Sequence, residues 1–124
     1  MARTKTPPIA NDDRVVIGGL LRELRRAAGY RSVDAAAGTR RCPASRQTIY
    51  QYERGAMTPS LAQFLELVRF FVLEAPPGDE AKPQADLRAQ GVAAVTRALE
   101  LPAYNLVAAR ELVAQMQPQT GSGR

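Results

Sequence analysis

"SRQTIYQYERG", residues 45–55, predicts a short helix with one narrow apolar anchor and a wide polar face. Ser45 suits the N-cap, because its hydroxyl can accept a hydrogen bond from a free amide of the first turn, and Gly55 suits a left-handed stop. Ile49 is the only aliphatic side chain between Ser45 and Ala56, so it must point inward. The side chains that then project away from the anchor are Arg46, Gln47, Tyr50, Gln51 and Arg54.

Two helical patterns precede this stretch. From residue 14, apolar residues recur with the spacing of a single helix face. They are Ile17, Leu20, Leu21, Leu24 and Ala28. Asp12 or Asp13 is expected to cap the start of this helix, and Gly29 to end it. A shorter helix is expected from Ser32 through the alanines at 35–37, followed by a turn-rich break, GTRRCP, at residues 38–43.

A fourth helix is expected after MTPS, residues 57–60. Several of its apolar residues, such as Phe70 and Phe71, fall outside its main stripe, so something besides the first three helices should bury it. Residues 74–84 have the composition of a linker. The C-terminal helices within residues 85–117 are divided by Pro102, and so short a connection favours an antiparallel pair used for dimerisation or partner binding. Residues 1–13 are expected to be a flexible basic arm, and residues 118–124 a disordered tail.

The composition narrows the possible chemistry. The chain has no His and one Cys, Cys42, which excludes His-based catalysis, imidazole zinc sites and an intramolecular disulfide. The acidic residues show no paired placement, so we expect neither an enzyme nor a cofactor. No apolar run approaches the length of a membrane span and no signal-peptide pattern is evident, so the cytoplasm is the expected compartment.

Positive charge is concentrated in the first part of the chain, although the whole chain carries a net charge of only +5. Residues 1–73 contain 12 basic and 6 acidic residues, a net charge of +6. Residues 74–124 contain 5 basic and 6 acidic residues, a net charge of −1. The first part is therefore the candidate for binding an anionic partner.

The order of the predicted elements is that of a helix-turn-helix DNA reader: a helix, a short helix, a turn, a polar helix and a capped helix. In that arrangement the polar helix lies in the major groove of DNA. Gln can make paired hydrogen bonds to adenine, and Arg can make them to guanine. The helix at residues 45–55 is therefore interpreted as a recognition helix.

Residues 17–73 resemble the Xre family of helix-turn-helix regulators, which includes the lambda and Cro-type phage repressors. The segment IGGLLRELRRAAGY, residues 17–30, matches the family's first helix. The segment SRQTIYQYERGAMTPSLAQFLELVRFF, residues 45–71, matches its recognition and fourth helices. The resemblance implies an all-α fold, with a four- or five-helix lambda-repressor-like helix-turn-helix domain at residues 14–73 followed by a C-terminal two-helix hairpin.

The resemblance also implies roles for individual side chains. Contacts with DNA bases are expected from Arg46, Gln47, Tyr50 and Gln51. Contacts with the DNA backbone are expected from Ser32, Arg40, Arg41, Ser45, Thr48 and Arg54. Arg25 and Glu53 match a structural ion pair that joins the first helix to the recognition helix in this family. One departure is the segment before Ile49, which is longer than usual in the family and includes Arg40 and Arg41.

These features together predict a sequence-specific, double-stranded DNA-binding transcriptional regulator. The expected form is a homodimeric repressor that occludes a promoter by binding a palindromic operator, because two half-sites supply the specificity that one small domain lacks. One alternative is an antitoxin whose residues 85–117 bind a toxin. Another is a protein-interaction module with a helix-turn-helix fold that no longer reads DNA.

Overall fold

The computed structural model describes residues 8–117, and the remaining parts of the predicted arm and tail, residues 1–7 and 118–124, lie outside the described residues. Within residues 8–117 the fold is all-α and has no strand, which confirms the predicted fold class. The helices are α1 (Pro8–Ala27), α2 (Val33–Ala37), α3 (Arg46–Glu53), α4 (Leu61–Arg69), α5 (Gln84–Leu99) and α6 (Leu106–Met116). A π-helical turn (Phe70–Glu74) continues α4.

One apolar core joins α1, α3 and α4. The predicted anchor of α3, Ile49, is buried in the same cluster as Ile17 and Leu24 of α1. Phe70 and Phe71, which fall outside the main stripe of α4, are also buried in this cluster. They are covered because α5 packs against both α1 and the end of α4.

The start of α1 differs from the expectation of a flexible arm. The helix begins at Pro8, so residues 8–13 are helical. Proline is favoured at a first helical position, because an N–H at that position has no acceptor within the helix. Its absence in proline therefore leaves no hydrogen bond unmade. Asp13 lies inside the helix and is buried, and its Oδ2 accepts a hydrogen bond from Ala103 N at 2.9 Å. Asp13 therefore binds the segment after α5 and does not cap α1.

The segment predicted as a linker is bound to the end of α1. Gly78 N donates to Ala28 O at 2.9 Å, and Lys82 N donates to Ala27 O at 2.8 Å. These are carbonyl groups at a helix end, which have no partner within the helix. Gly29 has a φ of +94°, and a Cβ there would lie 2.6 Å from the Gly78 carbonyl carbon. The composition indicated a linker, but the segment closes the C-terminal end of α1.

α5 completes the core of the domain. Its buried residues, Leu87, Gly91, Ala94 and Ala98, face α1, α4 and the π-helical turn. The segment after α5 is also fixed, because the Tyr104 ring lies 5.6 Å from the Phe64 ring and its hydroxyl donates to Pro59 O at 2.5 Å. The chain therefore continues from the helix-turn-helix core directly into its C-terminal helices.

Candidate nucleic-acid interface

α3 begins and ends as the sequence predicted. The Ser45 hydroxyl accepts a hydrogen bond from Thr48 N at 3.1 Å, which satisfies an otherwise free amide of the first turn. Gly55, which follows the C-cap residue Arg54, has a φ of +77°. The buried residues of α3 are Ile49, Tyr52 and Glu53. Because these three lie on one side, the opposite side of the helix remains free.

The free side of α3 carries the polar face predicted from the sequence. Arg46, Gln47, Tyr50 and Arg54 are exposed, and Gln51 is half-buried. A helix of eight residues is about 12 Å long, and the major groove of B-DNA is about 12 Å wide. This face offers guanidinium, amide and phenol groups, which are suited to hydrogen bonds with base edges and phosphates.

A buried ion pair joins α3 to α1. Arg25 Nε lies 2.8 Å from Glu53 Oε2, and Arg25 Nη2 lies 2.9 Å from Glu53 Oε1, so the contact is bidentate. The two residues are only 5% and 8% exposed. Arg25 Nη1 also donates to Tyr30 O at 2.9 Å, which satisfies a further donor. The structure thus brings together the two residues that the resemblance paired.

Two further residues of α1 contact the C-terminal end of α3, and these contacts were not predicted from the sequence. Arg22 Nη2 donates to the Glu53 carbonyl at 3.0 Å and so binds a free carbonyl at the helix end. Gly18 lies against the same backbone, because a Cβ built on it would be 2.4 Å from Tyr52 O. The sequence signals were Arg22 three residues before Arg25 and the Gly18-Gly19 pair inside an apolar helix.

The turn before α3 is long. Residues 38–45 separate α2 from α3, whereas a turn of about three or four residues is usual in this motif. Thr39 Oγ1 donates to Ala36 O at 2.8 Å, and Gln63 Nε2 of α4 donates to Pro43 O at 3.4 Å. Ala36 is fully buried and Cys42 is half-buried against the core. These hydrogen bonds and buried side chains fix the conformation of the longer turn. Arg40 and Arg41 in this turn are exposed to solvent.

The residues predicted to contact the DNA backbone differ in their local structure. Ser32 and Ser45 are helix N-caps, and the Ser45 hydroxyl also lies 3.0 Å from Thr48 Oγ1. Arg40, Arg41 and Arg54 are exposed. Arg46 Nη1, predicted to bind bases, lies 3.4 Å from Asp34 Oδ1 of α2 in an exposed pair that sequence reasoning missed. Such an exposed pair is weak and can open when another anion competes.

Burial favours the neutral forms of the Cys42 thiol in the turn and of the Tyr52 phenol in α3. Burial raises the pKa of the Cys42 thiol, although a hydrogen bond with the Ala44 backbone opposes the shift. Burial also raises the pKa of Tyr52 on the inner side of α3. A protonated thiol is a poor nucleophile. Within residues 13–106 and 112–117, whose side chains are described, no group of three His, Cys, Asp or Glu side chains could hold a metal ion.

A comparison with protein families agrees with this geometry. Residues 16–82 match the family model described as Helix-turn-helix domain, a match that covers more than half of the chain. No curated protein and no solved structure matches the chain. None of the helices within residues 8–117 is long and apolar enough to cross a membrane. The chain therefore belongs to the family of helix-turn-helix domains.

Proposed function

We propose that this helix-turn-helix protein is a sequence-specific regulator of transcription that binds double-stranded DNA through α3. The observation that carries the proposal is the polar face of α3 on a helix whose inner side is fixed to α1 by the Arg25–Glu53 pair. A reading helix must present its side chains at a defined angle, and a buried bidentate contact limits rotation of the helix.

Within this proposal, one set of residues contacts the DNA bases and a second set contacts the DNA backbone. Arg46, Gln47, Tyr50 and Gln51 contact base edges in the major groove. Ser32, Arg40, Arg41, Ser45, Thr48 and Arg54 contact the sugar–phosphate backbone. The N-terminus of α3 supports the second assignment, because a helix N-terminus favours a phosphate and Arg40 and Arg41 lie just before it in the chain.

The regulator is proposed to be a homodimeric repressor of the Xre type in the cytoplasm. It binds a palindromic operator, and it acts by occluding a promoter. One copy of α3 contacts few bases, so two copies on half-sites about 34 Å apart would supply the affinity of a regulator. The concentration of positive charge in residues 1–73 supports the approach of this domain to DNA.

Fluorescence anisotropy with a labelled operator duplex tests which residues contact bases and which contact the backbone. Gln47→Ala should cost about 1–3 kcal/mol on the operator and relax one base position in each half-site. Arg40→Ala should weaken binding to all sequences alike and reduce the salt dependence. Arg97→Ala, on α5, removes the same charge as Arg40→Ala and is the control. Equal losses from Gln47→Ala on operator and random DNA would exclude Gln47 as a base reader.

A further inference from the structure

An ion pair connects the first residue of α3 to α2. Arg46 Nη1 lies 3.4 Å from Asp34 Oδ1, and the two side chains are 64% and 70% exposed. In the part of the chain whose side chains the structure describes, the Asp34 carboxylate has no other partner. The first turn of α2 is capped by a different residue, since the Ser32 hydroxyl accepts a hydrogen bond from Ala35 N at 3.1 Å. Asp34 is therefore not the cap of α2, and its side chain interacts with α3.

The two helices that carry this pair are packed against each other. Val33 and Ala36, on either side of Asp34, are buried in the same core as Ile49 of α3. A side chain on a packed helix is positioned more precisely than one on a loop. Asp34 is therefore held beside the N-terminal end of the polar face of α3.

The pair occupies one nitrogen of the Arg46 guanidinium and leaves one edge of it free. Nε and Nη2 donate on the same side of the guanidinium, so together they can bind two acceptors, whereas the contact with Asp34 uses Nη1. Arg25 shows this division of donors: its Nε and Nη2 bind Glu53, and its Nη1 binds Tyr30 O. Guanine presents two acceptors, O6 and N7, in the major groove. Arg46 can therefore bind guanine and Asp34 at the same time.

Asp34 is the one exposed carboxylate in the basic segment around α3. Residues 24–65 contain two acidic residues, Asp34 and Glu53, and Glu53 is buried in its pair with Arg25. The exposed basic residues of the turn and of α3 are Arg40, Arg41, Arg46 and Arg54. A carboxylate beside a DNA-binding face repels phosphates and lowers the affinity for every sequence. Any favourable contribution of Asp34 to DNA binding must therefore be to specificity.

We propose that Asp34 determines sequence specificity by acting through Arg46. This inference rests on the proposed binding of DNA by α3 and names a positioning residue for it. Asp34 directs the Nε–Nη2 edge of Arg46 toward guanine, so Arg46 loses less side-chain freedom when it binds that base. Where another base replaces guanine, this edge lacks its paired acceptors, and the Asp34 charge still opposes the approach of phosphates. The combination penalises the wrong sequences more than the right one.

The pair is loose in the free protein and becomes stronger against DNA. Its distance of 3.4 Å is longer than the 2.8 Å between Arg25 Nε and Glu53 Oε2. An exposed pair of this kind contributes little to folding stability. Exclusion of water from the groove lowers the local dielectric constant and strengthens the attraction between the two charges. The effect of Asp34 is therefore expected in DNA binding and not in the free energy of unfolding.

Selection from random duplex DNA with the full chain tests the proposal, together with anisotropy on the selected and on a random duplex. Arg46→Ala should relax the preference for guanine at one position in each half-site. Asp34→Ala should relax the same position by about fivefold. It should also raise the affinity for the random duplex by about twofold or more, because one negative charge is removed. In an Arg46→Ala background, Asp34→Ala should change no base preference, since the residue through which it acts is absent.

Two matched variants separate charge, hydrogen bonding and fold. Asp86 is also an exposed aspartate in the first turn of a helix, but it lies on α5. Asp86→Ala removes the same charge and should change neither the motif nor the affinity for the random duplex. Asp34→Asn removes the charge and keeps an oxygen acceptor. It should raise the affinity for the random duplex as Asp34→Ala does, and retain more of the preference for guanine.

Three results would overturn the role of Asp34. The first is an unchanged preference at the Arg46 position in Asp34→Ala. The second is a change of base preference by Asp34→Ala that persists in the Arg46→Ala background. The third is an equal loss of affinity for the selected and the random duplex, which would mean that Asp34 only supports the fold of α2. In each case the native chain still selects a motif, so the regulator proposal stands. If the native chain selects no motif, the proposed function is wrong, and the role of Asp34 is wrong with it.

Discussion

The contact between Gly18 and the end of α3 gives a test in which two neighbouring glycines should behave oppositely. A Cβ at Gly18 would lie 2.4 Å from Tyr52 O and 3.0 Å from Glu53 O. A Cβ at Gly19, one residue along α1, would have no atom within 4 Å. Gly18→Ala and Gly19→Ala therefore make the same chemical change in the same helix, with and without a neighbouring backbone.

The difference in stability can be worked from these distances. Ordinary van der Waals contact begins at 3.4 Å, so α3 must move away from α1 by about 1.0 Å to accept Ala at position 18. Both substitutions gain up to about 1 kcal/mol of helix propensity. Overpacking against a backbone costs about 1–3 kcal/mol and applies only to Gly18→Ala. The expected gap in the free energy of unfolding is therefore about 1–3 kcal/mol, with Gly19→Ala the more stable.

Urea denaturation followed by circular dichroism measures both variants under one condition. The same shift should lengthen the hydrogen bond from Arg22 to the Glu53 carbonyl, which is 3.0 Å in the structure. Operator affinity should then fall for Gly18→Ala and remain unchanged for Gly19→Ala. If Gly18→Ala is as stable as Gly19→Ala, the close approach of the α1 and α3 backbones is not as described.

Three further substitutions test other contacts. Glu53→Ala should cost about 3–5 kcal/mol of folding stability by urea denaturation, because it leaves the Arg25 guanidinium buried without its partner. A loss below about 1 kcal/mol would show that the pair is not buried. Asp13→Ala should cost about 1–3 kcal/mol, since Ala103 N loses its acceptor, whereas Asp13→Asn should cost less because an amide oxygen remains; equal losses would contradict that role. Burial raises the pKa of Tyr104, so its contribution to stability is complete below about pH 10, the pKa of an unfolded tyrosine, and is lost as the pH rises beyond it. Tyr104→Phe should make the alkaline decline in melting temperature shallower, and an identical decline would refute this assignment.

The elements that were predicted well from the sequence are those set by local chemistry. Ser45, Ile49 and Gly55 define α3 through a cap, one anchor and a left-handed stop, all within eleven residues of chain. Gly29 likewise ends the first helix through its positive φ. Such signals require no knowledge of the rest of the fold.

The errors arose where a distant partner decides the structure. Asp13 is a residue type that often caps helices, but its hydrogen-bond partner, Ala103, lies 90 residues away in the chain. Residues 74–84 have the composition of a linker, but the free carbonyls at the end of α1 bind them. The packing of α5 in the core was not predicted for the same reason. Because Phe70 and Phe71 lie outside the main apolar stripe of α4, the periodicity indicates that another element buries them, but it does not identify that element as α5.

Selection of binding sites from random duplex DNA at about 150 mM salt, followed by sequencing, tests the central claim most directly. The native chain should enrich a palindromic motif whose half-sites are centred about one helical turn apart. Gln47→Ala, selected in parallel, should retain the spacing and lose the preference at one base position in each half-site. No enriched motif with the native chain, or an unchanged motif with Gln47→Ala, would contradict the assignment of the α3 face as the reader of DNA sequence.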